Sequence, residues 1–210
     1  MNDWTLKPAI ALALLALWPV ELGAAAADSR ASATASYAPI GGPASVPYGW
    51  ADFCSRQFQE CTQPALPAVD IRFTSETWKV LNRINRQVNA SIQPVSNLAH
   101  WGTIVDHWDY PTDGKGDCKV YALEKRKLLI AESFPRQALL MTIVKDLNGH
   151  GHAILTVKTN RGDFVLDNMN DEVKLWDRTG YCFVKRQSQE DPNVWVFIGD
   201  PTAAPDYVSQ

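Results

Sequence analysis

The chain has no basic block, and that absence removes a large class of partners. Its 20 Lys and Arg residues are scattered among 23 Asp and Glu, leaving a net charge of −3. No electrostatic footprint for nucleic acid is present. Cysteine and histidine are scarce, at four each. No internal repeat is visible. Long apolar runs are also missing, apart from "PAIALALLALWPV" (Pro8 to Val20), which is too short to span a bilayer comfortably.

What is present fits an exported globular protein. Lys7, the apolar run and the small residues Ala25 and Ala27 form a secretory signal pattern, with cleavage expected before Asp28. Residues 1–27 are therefore read as a signal peptide, and no membrane span is expected after its removal. Residues 28–47, rich in Ala, Ser, Gly and Pro, read as a flexible leader. Residues 48–200 read as one domain and 201–210 as a C-terminal tail. Hydrophobic residues make up 46% of the chain, enough for a sizeable core. In an oxidising compartment, Cys54 and Cys61 of "FCSRQFQEC" are close enough in sequence for a local disulfide; a metal pair is the alternative.

Periodicity places the elements. "TSETWKVLNRINRQVNASI" (Thr74 to Ile92) predicts a helix with Trp78, Leu81, Ile84, Asn85 and Val88 on one side and Ser75 as its cap. A loop crowded with aromatics and prolines follows. A second helix is expected from Cys118 to about Ala131, with apolar residues on more than one flank, so it should be wedged into the fold. "ALLMTIVKD", "HAILTVKT", "DFVLDN", "YCFVKRQS" and "VWVFIG" read as strands, the second and third joined by the hairpin signal "NRG". Helices first and antiparallel strands after predict an α+β fold.

The chemistry centres on "GKGDCKV". Cysteine attacks as thiolate, and the unpaired N–H groups of a helix start favour that anion and can stabilise an oxyanion. Gly116 allows close backbone approach, and Asp117 is a plausible cap. The available bases are His100, His107, His150 and His152. Of these, His152 opens a strand after a glycine, and Asp167 ends the next strand, where an imidazole N–H would satisfy it. For both to face one cleft, each β-pair must join an even-numbered to an odd-numbered residue. As a pattern alone the trio is not specific: Asp167 could start a turn and His152 merely end a strand.

Three motifs together narrow the choice. "WG…DHW…P……GKGDCKVYALEKR", "GHGHAILTVKTNRGDFVLDN" and "YCFVKRQS" resemble the bacterial transglutaminase-like cysteine peptidases, in order, from about Trp50 to Trp195. That family includes a periplasmic protease that releases a biofilm adhesin. The resemblance implies a papain-like, transglutaminase-like core, with the nucleophile helix packed on an antiparallel sheet. It makes Cys118 the nucleophile, His152 the acid and base, and Asp167 the group that orients His152. It also supports the Cys54–Cys61 disulfide.

One motif departs. The adhesin-releasing members carry "GDCED", whose acidic residues help bind calcium, whereas this chain has Lys119 and Val120 after Cys118. No metal and no cofactor is therefore expected, and Lys119 is expected on a solvated face. Trp101 and Trp108 are candidates for walling a substrate groove or donating to the oxyanion, with core packing as the alternative. Cys182 reads as a strand residue, inert if buried. The resulting expectation is a periplasmic or secreted cysteine peptidase acting on a protein or peptide of the cell envelope. An acyl transferase with the same triad, or a peptide-binding module with a lapsed triad, are its rivals.

Overall fold

Strand β1 (Ile40–Ala44) is built from residues that composition alone assigns to a leader. The computed structural model describes Met1, residues 35–201, Pro205 and Val208, so the signal-peptide reading lies outside the described residues. The leader reading is corrected from residue 40 onward. β1 is an edge strand, where Pro43 costs no interior hydrogen bond. Gly41 packs so closely that an added Cβ would lie 2.3 Å from the Gly199 carbonyl. Glycine and proline, which usually signal a loop, here serve a tight edge pairing.

The chain continues through α1 (Tyr48–Arg56), α2 (Phe58–Cys61), α3 (Ser75–Ser91), the short β2 (Gln93–Pro94), α4 (Asn97–Trp101) and β3 (Lys115–Gly116). Helix α5 (Cys118–Ala131) follows, then β4 (Leu139–Lys145), β5 (Gly151–Thr159), β6 (Gly162–Asp167), β7 (Asn170–Leu175), β8 (Cys182–Gln187) and β9 (Trp195–Ile198). The main sheet has the order β1-β9-β8-β4-β5-β6-β7, with every pair antiparallel. β2 and β3 pair separately, in parallel. This is the mixed helix and antiparallel-sheet architecture expected.

Helix α3 starts as its pattern requires, but Thr74 rather than Ser75 caps it, accepting the Thr77 N–H at 3.1 Å. Its Leu81, Ile84, Asn85 and Val88 are buried. Helix α5 packs against β5 and also touches β4 and β6. Val120, Tyr121, Ala122, Leu123 and Leu129 are all buried, so α5 is enclosed rather than laid on the surface. Met141, Ile143, Ala153, Leu155 and Leu166 of the sheet share its core.

A disulfide joins Cys54 to Cys61, with Cα atoms 5.6 Å apart, inside the range a bridge needs. It ties α1 to α2. The nominal tail also belongs to the fold: Val208 is buried and donates its N–H to Asp106 Oδ1 at 2.9 Å. A burial signal from one valine in "DYVSQ" is too small to read from sequence.

Candidate active site

Cys118 is the first residue of α5, directly after Asp117 at the N-cap position. Gly116 makes this turn possible, because a Cβ there would come within 2.5 Å of Val120. The Val120 and Tyr121 N–H groups turn back to the Asp117 carbonyl at 3.0 and 3.2 Å, and the sulfur sits at the positive end of the helix. Asp117 directs its carboxylate to the Lys119 ammonium. Cys118 itself has no exposed surface.

β5 carries His152 to the same place. Leu155 pairs with Leu166 and Thr156 with Val165, each joining an odd to an even position. Extending that register sets Asp167 across from Ile154, two residues from His152 and on its face. The side chains use the offset: His152 Nε2 bonds Asp167 Oδ1 at 2.8 Å, with both residues buried. That bond leaves Nδ1 as the other ring nitrogen, buried and without a hydrogen-bond partner. The Cys118 thiol acts on the same ring.

The electrostatics follow from these neighbours. Burial works against an imidazolium, but the Asp167 hydrogen bond and Cys118 outweigh it, so His152 is raised to about 10. Asp167 answers in the opposite sense. Burial pushes its carboxyl up, yet His152, the Tyr181 hydroxyl and the Met169 N–H together hold it below its ordinary value. Both changes favour a charged pair inside the protein.

Asp167 is fixed on every side. Tyr181 donates its hydroxyl to Oδ2 at 2.6 Å, and the Met169 N–H donates to Oδ1 at 3.0 Å. From α3, Asn85 Oδ1 accepts the Asp167 N–H at 3.1 Å and Asn89 Nδ2 donates to its carbonyl at 3.0 Å. Sequence reasoning missed all four of these partners. Asn85 left a trace, since it is a polar residue in the apolar stripe of α3. Tyr181 left none, because its hydroxyl reaches Asp167 only once β6 and β8 are placed in the sheet.

Other candidates fall elsewhere. Trp108 is fully buried, edge-on to Trp50 and Trp195, and does not wall a groove. Its indole edge lies where a Cβ on Gly49 would be, 2.3 Å away. Trp101 is 46% exposed, 4.2 Å from the His100 ring and 4.4 Å from that of His107. His100 bonds Asp113 at 2.9 Å, and His150 is an exposed loop residue beside Asp146. Neither approaches the buried site. Cys182 is the strand residue expected, and it is exposed at the start of β8. Lys119, expected in solvent, is fully buried.

No helix among the described residues is long and apolar enough to cross a membrane, and no His, Cys, Asp or Glu cluster among them has the makings of a metal site. No curated protein sequence matches the chain. Among solved structures it is similar to calcium-bound LapG of Legionella pneumophila, with a TM-score of 0.51 and 20% identity over 64% of this chain and 77% of that one. A second Legionella pneumophila LapG structure gives 0.49 and 21%, over 60% and 69%. An EGTA-treated form gives 0.48 and 22%, over 56% and 66%. At such identity the likeness establishes a transglutaminase-like fold. The family is established by the sequence, since residues 40–203 match the model of the bacterial transglutaminase-like cysteine proteinases. The chain belongs to that family and is a cysteine peptidase.

Proposed function

We propose that the chain hydrolyses peptide bonds with Cys118 as nucleophile, His152 as acid and base, and Asp167 as the residue that orients His152. The observation that carries the reading is the buried bond from His152 Nε2 to Asp167, which leaves Nδ1 for the thiol. Cys118 sulfur bonds the peptide carbonyl carbon, and the oxyanion forms beside the first N–H groups of α5. The imidazolium then gives its Nδ1 proton to the departing amine, leaving a thioester. Water attacks the thioester as Nδ1 takes its proton, and release of the carboxylate restores Cys118. Asp167 stays ionised throughout, fixing the ring and stabilising its positive form.

Cys118 and His152 have no exposed surface, so substrate must enter from an adjoining space. A cleft of about 420 Å³ is lined by Val46, Tyr48, Ile104, Val105, Ile143 and Val208. Asp106 and Val208 of its lining also hold Lys119, the residue after Cys118, which puts the cleft on the Cys118 side of the site. The lining also includes Asp106 and Lys185, so it suits a stretch of an envelope protein that presents both apolar and charged side chains, and the signal pattern of residues 1–27 supports an exported location.

Calcium-bound LapG raises the question of a metal here. Two carboxylates, Asp106 and Asp117, do converge near Cys118, but they converge on Lys119. An ammonium in that position repels a hard dication and removes an oxygen ligand. The residues present do not fit calcium, and no step is routed through it.

Alkylation tests the triad. Two thiols are free of the disulfide, buried Cys118 and exposed Cys182. Exposure alone makes Cys182 the faster to react with iodoacetamide. Activation by His152 makes Cys118 faster at neutral pH, with the preference lost in His152→Ala. Preferential labelling of Cys182 in the wild-type chain would remove Cys118 as nucleophile.

A further inference from the structure

Lys119 is a lysine with no exposed surface, one residue after Cys118, and its ammonium is the meeting point of three separate segments. Nζ donates to Asp117 at the start of α5 and to the Val208 carbonyl, and lies 3.7 Å from Asp106 Oδ1 in the loop before β3. Asp106 in turn accepts the Val208 N–H at 2.9 Å. Both backbone groups of Val208 are thus held by one ion-paired cluster. Burial pushes the Asp106 and Asp117 carboxyls up, and Lys119 works against that in each case. Removing one member of such a buried cluster would leave charges without compensation.

We propose that Lys119 supplies, as a covalently held ammonium, the cation around which Asp106, Asp117 and the Val208 backbone are assembled. The site is then closed by a side chain rather than by a metal ion, and Val208 is part of it. Lys119, Asp106 and Val208 are positioning residues: together they hold the loop before β3 and the Val208 backbone against the start of α5. The peptidase reading is not required for this, because the argument stands on ion pairs and burial alone.

Thermal melting of the full chain separates the possibilities without an activity assay. The wild-type midpoint should be the same in EGTA and in millimolar calcium. Lys119→Glu places a third carboxylate beside Asp106, Asp117 and the Val208 carbonyl, a set of hard oxygen donors. In EGTA its midpoint should fall by about 10 °C or more, as expected for a broken buried pair. Calcium should restore much of that loss. If the variant does not fold in EGTA, refolding yield with and without calcium reads the same effect. A wild-type midpoint that climbs with calcium would overturn the proposal. So would a Lys119→Glu chain that melts like wild type, or one that calcium fails to rescue, since Lys119 would then serve as packing only.

Discussion

His152 is where the opposing forces at this site are clearest. Its burial alone would empty the ring of charge, yet Asp167 and Cys118 carry it to about 10. Since its folded value lies above its ordinary one, His152 adds stability that is complete below about pH 6.5 and is lost as pH rises through about 10. The acid that protonates the leaving amine is lost over the same alkaline range. Asp167→Asn keeps the shape and removes the compensating charge, so burial then dominates. Its kcat should fall by roughly 10³- to 10⁴-fold, and the alkaline limb of the pH profile should move to lower pH. An unchanged limb would mean that Asp167 does not hold the ring. Lys125 provides the converse case: it is buried without a hydrogen-bond partner, and burial lowers it to about 7 against the pull of Asp167 and Asp171. A lowered lysine costs stability wherever the unfolded chain would be protonated. Lys125→Met should therefore raise the melting temperature at pH 7, with the gain shrinking as pH rises towards 10. Cys118, His152 and Asp167 drew attention because each lies at or beside the end of a patterned element, but their proposed roles came from the resemblance of three motifs and not from that pattern. Lys119 could not, since nothing local says that a lysine after the cysteine will meet carboxylates from a distant loop.

At the scale of elements, patterned segments announced themselves and edge segments did not. Helices α3 and α5 and strands β4, β5, β6, β8 and β9 carry apolar periodicity that survives without any partner. β1 and β7 do not, because an edge strand owes its conformation to the strand beside it. "IGGPA" has no apolar alternation, and "NDEVKL" brings only Val173 and Leu175 to the core, too few to show a period. The register of β5 and β6 was constrained in advance by chemistry rather than by pattern: a histidine and an aspartate that must meet allow only odd-with-even pairs. Helices α1 and α2 depend on their covalent tie. Their disulfide closes a short loop, worth about 2.5 kcal/mol in the chain-entropy estimate. Replacing both Cys54 and Cys61 by Ser should lower stability by about that amount in denaturant titration, with Cys118 labelling retained in the folded fraction. Loss of labelling in chains that remain folded would show that the bridge shapes the site as well as stabilising the helices.

Across the whole molecule, the sheet supplies His152 and Asp167, α5 supplies Cys118, and Asn85 and Asn89 of α3 together with Tyr181, just before β8, brace Asp167. The site is distributed over the fold, so its residues come together only when the whole sheet is formed. This explains why family membership could be recognised from three separated motifs and from no single one. The central claim is that this assembly cuts protein substrates through Cys118. Its most direct test is mass spectrometry of the envelope proteins of cells producing either the wild-type chain or Cys118→Ala. The account predicts new N- and C-termini in at least one envelope protein with the wild-type chain, and none of them with the variant at equal abundance. Identical sets of termini in the two strains, or amide cross-links without new termini, would contradict it.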